Sequence, residues 1–116
     1  MTPEEMKKRT KRFSIAIIRF VGTLPRYGPA QRIGDQLLRS GTSVGANYRA
    51  ACRGRSRADF ASKVGISEEE ADESAFWLEL LIESGLIRSN GASVLLAEAD
   101  ELTRILTASR KTATGR

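Results

Sequence analysis

Ten cations and two carboxylates are the residues of this sequence whose types and spacing could do chemistry. Lys7, Lys8, Arg9, Lys11 and Arg12 crowd one short stretch. Arg49, Arg53, Arg55, Arg57 and Lys63 crowd another, where Asp59 is the one acid. Repeated cations of this kind neutralise phosphates without reading base sequence. Glu70 and Glu73 stand three residues apart, on one face of a helix, and paired carboxylates can serve as general acid and base. That use lacks its other components. The chain has no histidine and one cysteine, Cys52, which removes zinc sites, Ser-His-Asp triads and Cys-His dyads together. With no nucleophile or metal ligand beside them, the two glutamates are not a catalytic pair. The expectation is a protein that is not an enzyme, with no catalytic residue, cofactor or metal.

Charge is divided along the chain. The net charge is +5 over 116 residues, but residues 1–66 carry 14 Lys/Arg against 4 Asp/Glu, and residues 67–116 carry 5 against 10. This asymmetry points to one basic and one acidic face. A basic face fits nucleic acid or an acidic partner. The halves could equally attract each other within the fold or between subunits, and both readings stay open at this point. No reading-helix signature or zinc finger accompanies the cations, and Tyr27 and Tyr48 are too few for a single-strand stacking platform. Any nucleic-acid contact should therefore be led by charge and shape.

The elements that must position these groups are helices. The chain is sized for a single domain, residues 1–116. Thr2-Pro3-Glu4-Glu5 is a helix start, and Phe13, Ile17, Phe20 and Leu24 recur at helical spacing, giving a first helix over roughly 3–22. Pro29 opens a second over 29–53, continuous through Ser40-Gly41-Thr42-Ser43 although propensity alone would read a loop there. Gly41 and Gly45, four apart, make a small-residue surface for close helix packing. Ser56 caps a third helix over 57–84, closed by Gly85. Ser89-Asn90-Gly91 is a loop, a fourth helix covers 93–111, and the tail frays from 112. With no strand pattern, the fold class is all-α: an antiparallel up-down four-helix bundle. An apolar run over 13–24 is broken by Arg19 and is followed by no cleavage site, so neither a signal peptide nor a membrane helix is expected. The cytoplasm is the expected location.

The third helix has a second stripe: Ile66, Glu70, Glu73, Trp77 and Leu80. Acids flanked by Trp and Leu on one line suggest an oligomer interface, with Trp77 and Leu80 against a neighbour and the acids paired to arginines such as Arg39 or Arg49. The alternative is that Trp77 is ordinary core and the acids a solvated edge. Asn47, on the close-packing side, could set oligomer register or bond another helix of the same subunit.

Three segments carry a family resemblance: RSGTSVGANYRAACRGRSRADFASK from Arg39, then EEEADESAFWLELLIESGLI, then EADELTRIL. Over roughly residues 13–108 the chain resembles the bacterial four-helix-bundle family of proteins encoded within 23S rRNA intervening sequences. A distant relative of that family is the accessory variability determinant of diversity-generating retroelements. The resemblance implies an up-down bundle assembling into a homopentameric ring. The distant relative works with a reverse transcriptase and binds nucleic acid. Gly45-Ala46-Asn47 falls on the family's helix-two motif, Ser56-Arg57 and Phe60 on its third-helix start, and Glu70, Glu73, Trp77 and Leu78 on its third-helix motif. Where members carry an acid shortly after the Asn, this chain has Ala50.

Taken together, these readings predict an oligomeric accessory protein that binds RNA or DNA backbone, in a setting such as a reverse transcriptase ribonucleoprotein. The alternative is a structural adaptor that self-assembles and docks proteins without nucleic acid.

Overall fold

Two of the helices begin on a side-chain cap. In a computed structural model describing residues 1–88 and 91–115, helix α1 (Pro3–Val21) opens on a capping box. The Thr2 hydroxyl accepts from the Glu5 backbone N–H at 3.1 Å, and the Glu5 carboxylate accepts from the Thr2 N–H at 3.1 Å. Helix α2 (Gly28–Cys52) runs unbroken through Ser40-Gly41-Thr42-Ser43. Helix α3 (Arg57–Glu83) is capped by Ser56, whose hydroxyl accepts from the Asp59 N–H at 3.0 Å. Gly85, at φ 75°, closes it in the left-handed conformation that glycine adopts without penalty. Helix α4 (Gly91–Thr114) starts two residues earlier than the sequence pattern implies and continues helical past Lys111 to Thr114, where fraying was expected. Of the expected 89–91 loop, Ser89 and Asn90 lie outside the described residues, and Gly91 already belongs to α4.

The described residues form four helices and no strand. Neighbours pack antiparallel in chain order, α1 on α2, α2 on α3, α3 on α4, and α1 meets α4 least closely. Gly41 lies against Ile17 and Gly45 against Thr10; Ser67 donates to the Val44 carbonyl at 2.6 Å and Ser74 to the Ser40 hydroxyl at 2.9 Å. The rod so formed measures 44 × 21 × 20 Å. Its core is Ile17, Leu37, Val44, Val64, Leu78, Leu81, Leu102 and Leu106, all fully buried. No helix among the described residues is long and apolar enough to cross a membrane.

The small residues of α2 explain its continuity. A Cβ on Gly41 would meet both Cγ atoms of Ile17 at 2.9 Å, and one on Gly45 would come within 3.3 Å of the Thr10 backbone. Glycine's ~1 kcal/mol helix penalty is offset by the approach it permits. The two glycines therefore serve packing within one chain, against α1. Ser40, Ser67, Ser74 and Thr10 are fully buried, and each hydroxyl finds an oxygen acceptor.

Candidate nucleic-acid interface

Antiparallel packing sets the start of α1 beside the end of α2. Lys7 and Lys11 are one turn apart on α1, with Lys8 next to them; Arg49 and Arg53 are one turn apart at the end of α2. All five line one groove of about 570 Å³, with Gly45 among its small floor residues. The single acid lining it is Glu4, whose carboxylate takes the Lys7 ammonium at 2.7 Å. That hydrogen bond holds the Glu4 carboxyl below its usual range. Among the described residues, Lys8, Lys11, Arg49 and Arg53 form no ion pair, so the groove presents concentrated positive charge to solvent.

The other five sequence candidates are placed differently. Arg9 points away from the groove and forms a bidentate pair with Glu98 of α4, at 2.7 and 2.8 Å. This bond raises the guanidinium pKa and ties α1 to α4. Lys63 pairs with Asp59 at 3.0 Å. That contact, then the Arg55 N–H, lowers the Asp59 carboxyl, so Asp59 serves the α2–α3 corner. Arg12 lines a separate apolar depression between α1 and α4. Arg55 and Arg57 line a larger pocket at the end of the bundle, where the Arg57 guanidinium donates to the Thr112 carbonyl at 3.3 Å. The ten cations are thus two sets: five converge on the groove and five do not.

The second stripe of α3 is likewise reassigned. Arg39 of the same chain bridges Glu70, at 2.9 Å, and Glu73. Glu73 also accepts from the Trp77 indole N–H at 3.1 Å. The Glu70 charge first, and the Glu73 hydrogen bond second, raise the Arg39 pKa. The expected pairing of these acids with a neighbour's arginine is therefore met inside one chain, because α2 and α3 pack antiparallel with Arg39 opposite the i, i+3 pair. Arg49, the other arginine considered, lies in the groove on the α1 side. Trp77 and Leu80 are half-buried, while Ile66 and Phe76 on the same side of α3 are 45% and 50% exposed. Asn47 donates from Nδ2 to the Ser43 carbonyl at 2.8 Å, one turn back on its own helix and not to another helix of the same chain.

Sequence reasoning missed several positions. Glu68 accepts from Arg110 and Thr107 of α4 at 2.6 Å each, and these bonds, that of Arg110 first, lower its carboxyl. Phe76 packs edge-on to Trp77 with centroids 5.2 Å apart. Cys52, one turn after Tyr48, lines the groove. Burial first, and the neighbouring Cys52 second, push the Tyr48 hydroxyl up to about 12. The i, i+4 spacing of Tyr48 and Cys52 was the available signal; for Glu68 nothing in the sequence selects it from the run Glu68-Glu69-Glu70. No cluster of three or more metal-ligating side chains occurs among the described residues.

A family model described as 23S rRNA-intervening sequence protein matches residues 4–108. Among solved structures, a protein with unknown function from the S23 ribosomal protein family of Bacteroides thetaiotaomicron superposes with a TM-score of 0.82 at 32% identity, covering 96% of this chain and 99% of that one. No curated protein matches the sequence.

Proposed function

The chain belongs to the 23S rRNA-intervening sequence protein family, and from that membership we infer that it is a non-enzymatic accessory protein holding nucleic-acid backbone in the α1–α2 groove. One observation carries the reading: Lys7, Lys8, Lys11, Arg49 and Arg53 converge from two helices on one groove with Glu4 as its single acid. Cations so placed are useful against phosphate and of no use to the core. The contacts are to backbone, so RNA and DNA of mixed sequence both bind. The working unit is a homo-oligomer, a pentameric ring, with Ile66, Phe76, Trp77 and Leu80 at its interface. Five grooves in one particle add avidity. The setting is a ribonucleoprotein in the cytoplasm, with a reverse transcriptase as protein partner.

The test is a salt titration of binding to mixed-sequence RNA. Affinity should fall by several log units per log of salt, and Lys8→Gln/Lys11→Gln/Arg53→Gln should reduce the slope by roughly two to three. Absence of binding at low salt sinks the reading. A light-scattering mass of 12.7 kDa, that of one chain, would sink the ring.

A second reading has its own support. Glu69, Asp72 and Glu83 of α3 and Asp100 of α4 are exposed, so acidic and basic surfaces lie on one molecule. A structural adaptor would use that complementarity for self-assembly, without nucleic acid. High salt would then dissociate the particle itself, with or without added RNA.

A further inference from the structure

A cavity of about 950 Å³ lies outside the groove, at the end of the bundle. It exists because the helices differ in reach. Arg9 already stands opposite Glu98, so α1 begins near the middle of α4 while α4 continues to Thr114. The last turns of α4 therefore have no α1 beside them. The floor of the resulting pocket is apolar: Met6, Tyr48, Phe60, Ile105 and Leu106, with Tyr48 and Phe60 edge-on at 6.5 Å. Its mouth carries Arg55 and Arg57, and Glu101 stands at the wall. Pocket and groove flank the first turns of α1 and meet at the α2–α3 corner, where Arg53 lines the groove and Gly54 to Arg57 line the pocket.

We propose that this pocket takes one unpaired nucleotide, its base over the apolar floor and its phosphate on Arg55 and Arg57. Half-buried Phe60 and Ile105 offer a ring system an apolar surface, backed by Met6, Tyr48 and Leu106, which are already buried. Guanidinium groups suit a phosphate by their paired N–H donors. The Glu101 carboxylate can accept from an exocyclic amino group of the base, a contact that an acyl chain would not use. The nucleotide's source is a strand lying in the groove, so the inference rests on the nucleic-acid reading for its source but not for its site. Its consequence is a preference for single strands, because a base held in a duplex cannot enter.

Three forms of the full chain are compared by fluorescence anisotropy, with labelled oligoadenylate alone and annealed to oligouridylate. They are the wild type, Ala108→Leu/Ser109→Leu, which fills the pocket from α4 without changing charge, and Lys8→Gln/Lys11→Gln in the groove. Circular dichroism and the unfolding midpoint confirm folding of each. The wild type should favour the single strand by about tenfold, the scale of one buried base. The filled pocket should lose that preference with duplex affinity unchanged, and the groove variant should weaken both forms alike. No preference in the wild type, or equal weakening of both forms on filling, overturns the pocket while leaving the groove. If no strand binds but AMP raises the unfolding midpoint of the wild type and not of the filled variant, the pocket stands with free nucleotide as its source and the groove reading falls. If neither strands nor AMP bind, both fall.

Discussion

On its α3 side, helix α2 places Arg39 between two carboxylates, and Glu73 of that pair is also held by the Trp77 indole. On its α1 side, the same helix sets Arg49 and Arg53 beside three lysines, with Glu4 as the one acid. The difference is between charge satisfied within the chain and charge left for something else. Arg39, Glu70 and Glu73 form a closed network in which each acid has a named partner. Such a network favours α2–α3 docking and needs nothing from outside. Five clustered cations repel one another and contribute nothing to folding by that contact. The α3 side of α2 therefore satisfies its charge within the chain, and the α1 side leaves cations facing solvent.

The contrast breaks most severely if the seam beneath both sides is disturbed. Gly41→Val drives two methyl groups toward Ile17, whose Cγ atoms already stand 2.9 Å from where a Cβ would sit. Overpacking of this kind costs about 3 kcal/mol, on the order of 10 °C in midpoint for a chain of this size. α1 would be pushed off α2, and groove binding should weaken together with stability. An unchanged melting curve would show that the seam is not close-packed.

A smaller, crossed effect separates the two sides directly. Arg39→Ala leaves Glu70, whose side chain is 14% exposed, without its cation. The unfolding midpoint should fall, by less than for Gly41→Val, and RNA affinity should hold. Lys8→Gln/Lys11→Gln/Arg53→Gln should do the reverse, losing affinity with stability unchanged within about 0.5 kcal/mol. If Arg39→Ala loses affinity without losing stability, the two sides have been assigned the wrong way round.

The sequence made one side legible and not the other for a physical reason. Helix periodicity, Pro3, Pro29, Ser56 and Gly85 are local signals, and they place all four helices to within a few residues. Gly41 and Gly45 show by their spacing that a close approach occurs. Which arginine meets which acid depends on helix–helix register, which no local signal carries. Arg39 and Arg49 are equally plausible partners for Glu70 in the sequence; antiparallel packing decides for Arg39. The same holds for Arg9, indistinguishable from Lys8 by type and neighbourhood, yet turned by about one residue's rotation toward Glu98. The end pocket depends on the unequal reach of α1 and α4 once aligned, which residue types do not encode.

The pH dependence of stability sharpens the account of the closed contacts. Asp59, through Lys63 and then the Arg55 N–H, and Glu68, through Arg110, have lowered carboxyls. Their contribution is complete above their ordinary values of 3.8 and 4.5 and is lost as pH falls below them. Tyr48 is raised, from 10 to about 12, by burial. Its protonated form is the folded one, so that contribution is complete below pH 10 and disappears as pH climbs toward 12. The unfolding midpoint against pH should be a plateau with two shoulders, and Tyr48→Phe should remove the alkaline one. A midpoint still flat across pH 10–12 in the wild type contradicts burial of that hydroxyl.

The gentlest probe of the open side is Cys52, the chain's one cysteine, half-buried in the groove wall between Arg49 and Arg53. Two thiol reagents, anionic dithiobisnitrobenzoate and neutral iodoacetamide, consume the same thiolate. Their rate ratio therefore cancels the thiolate fraction and much of the access, leaving the local field. Five cations around one acid should enrich the anion, so the ratio should exceed that of a small free thiol by a few-fold at low salt and approach it at high salt, where screening lengths shorten to about 3 Å. Lys8→Gln/Lys11→Gln should produce part of the same fall without salt, and RNA bound in the groove should slow both reagents together. A ratio indifferent to salt would mean that the groove's cations are neutralised after all, and the two sides of α2 would then differ only in shape.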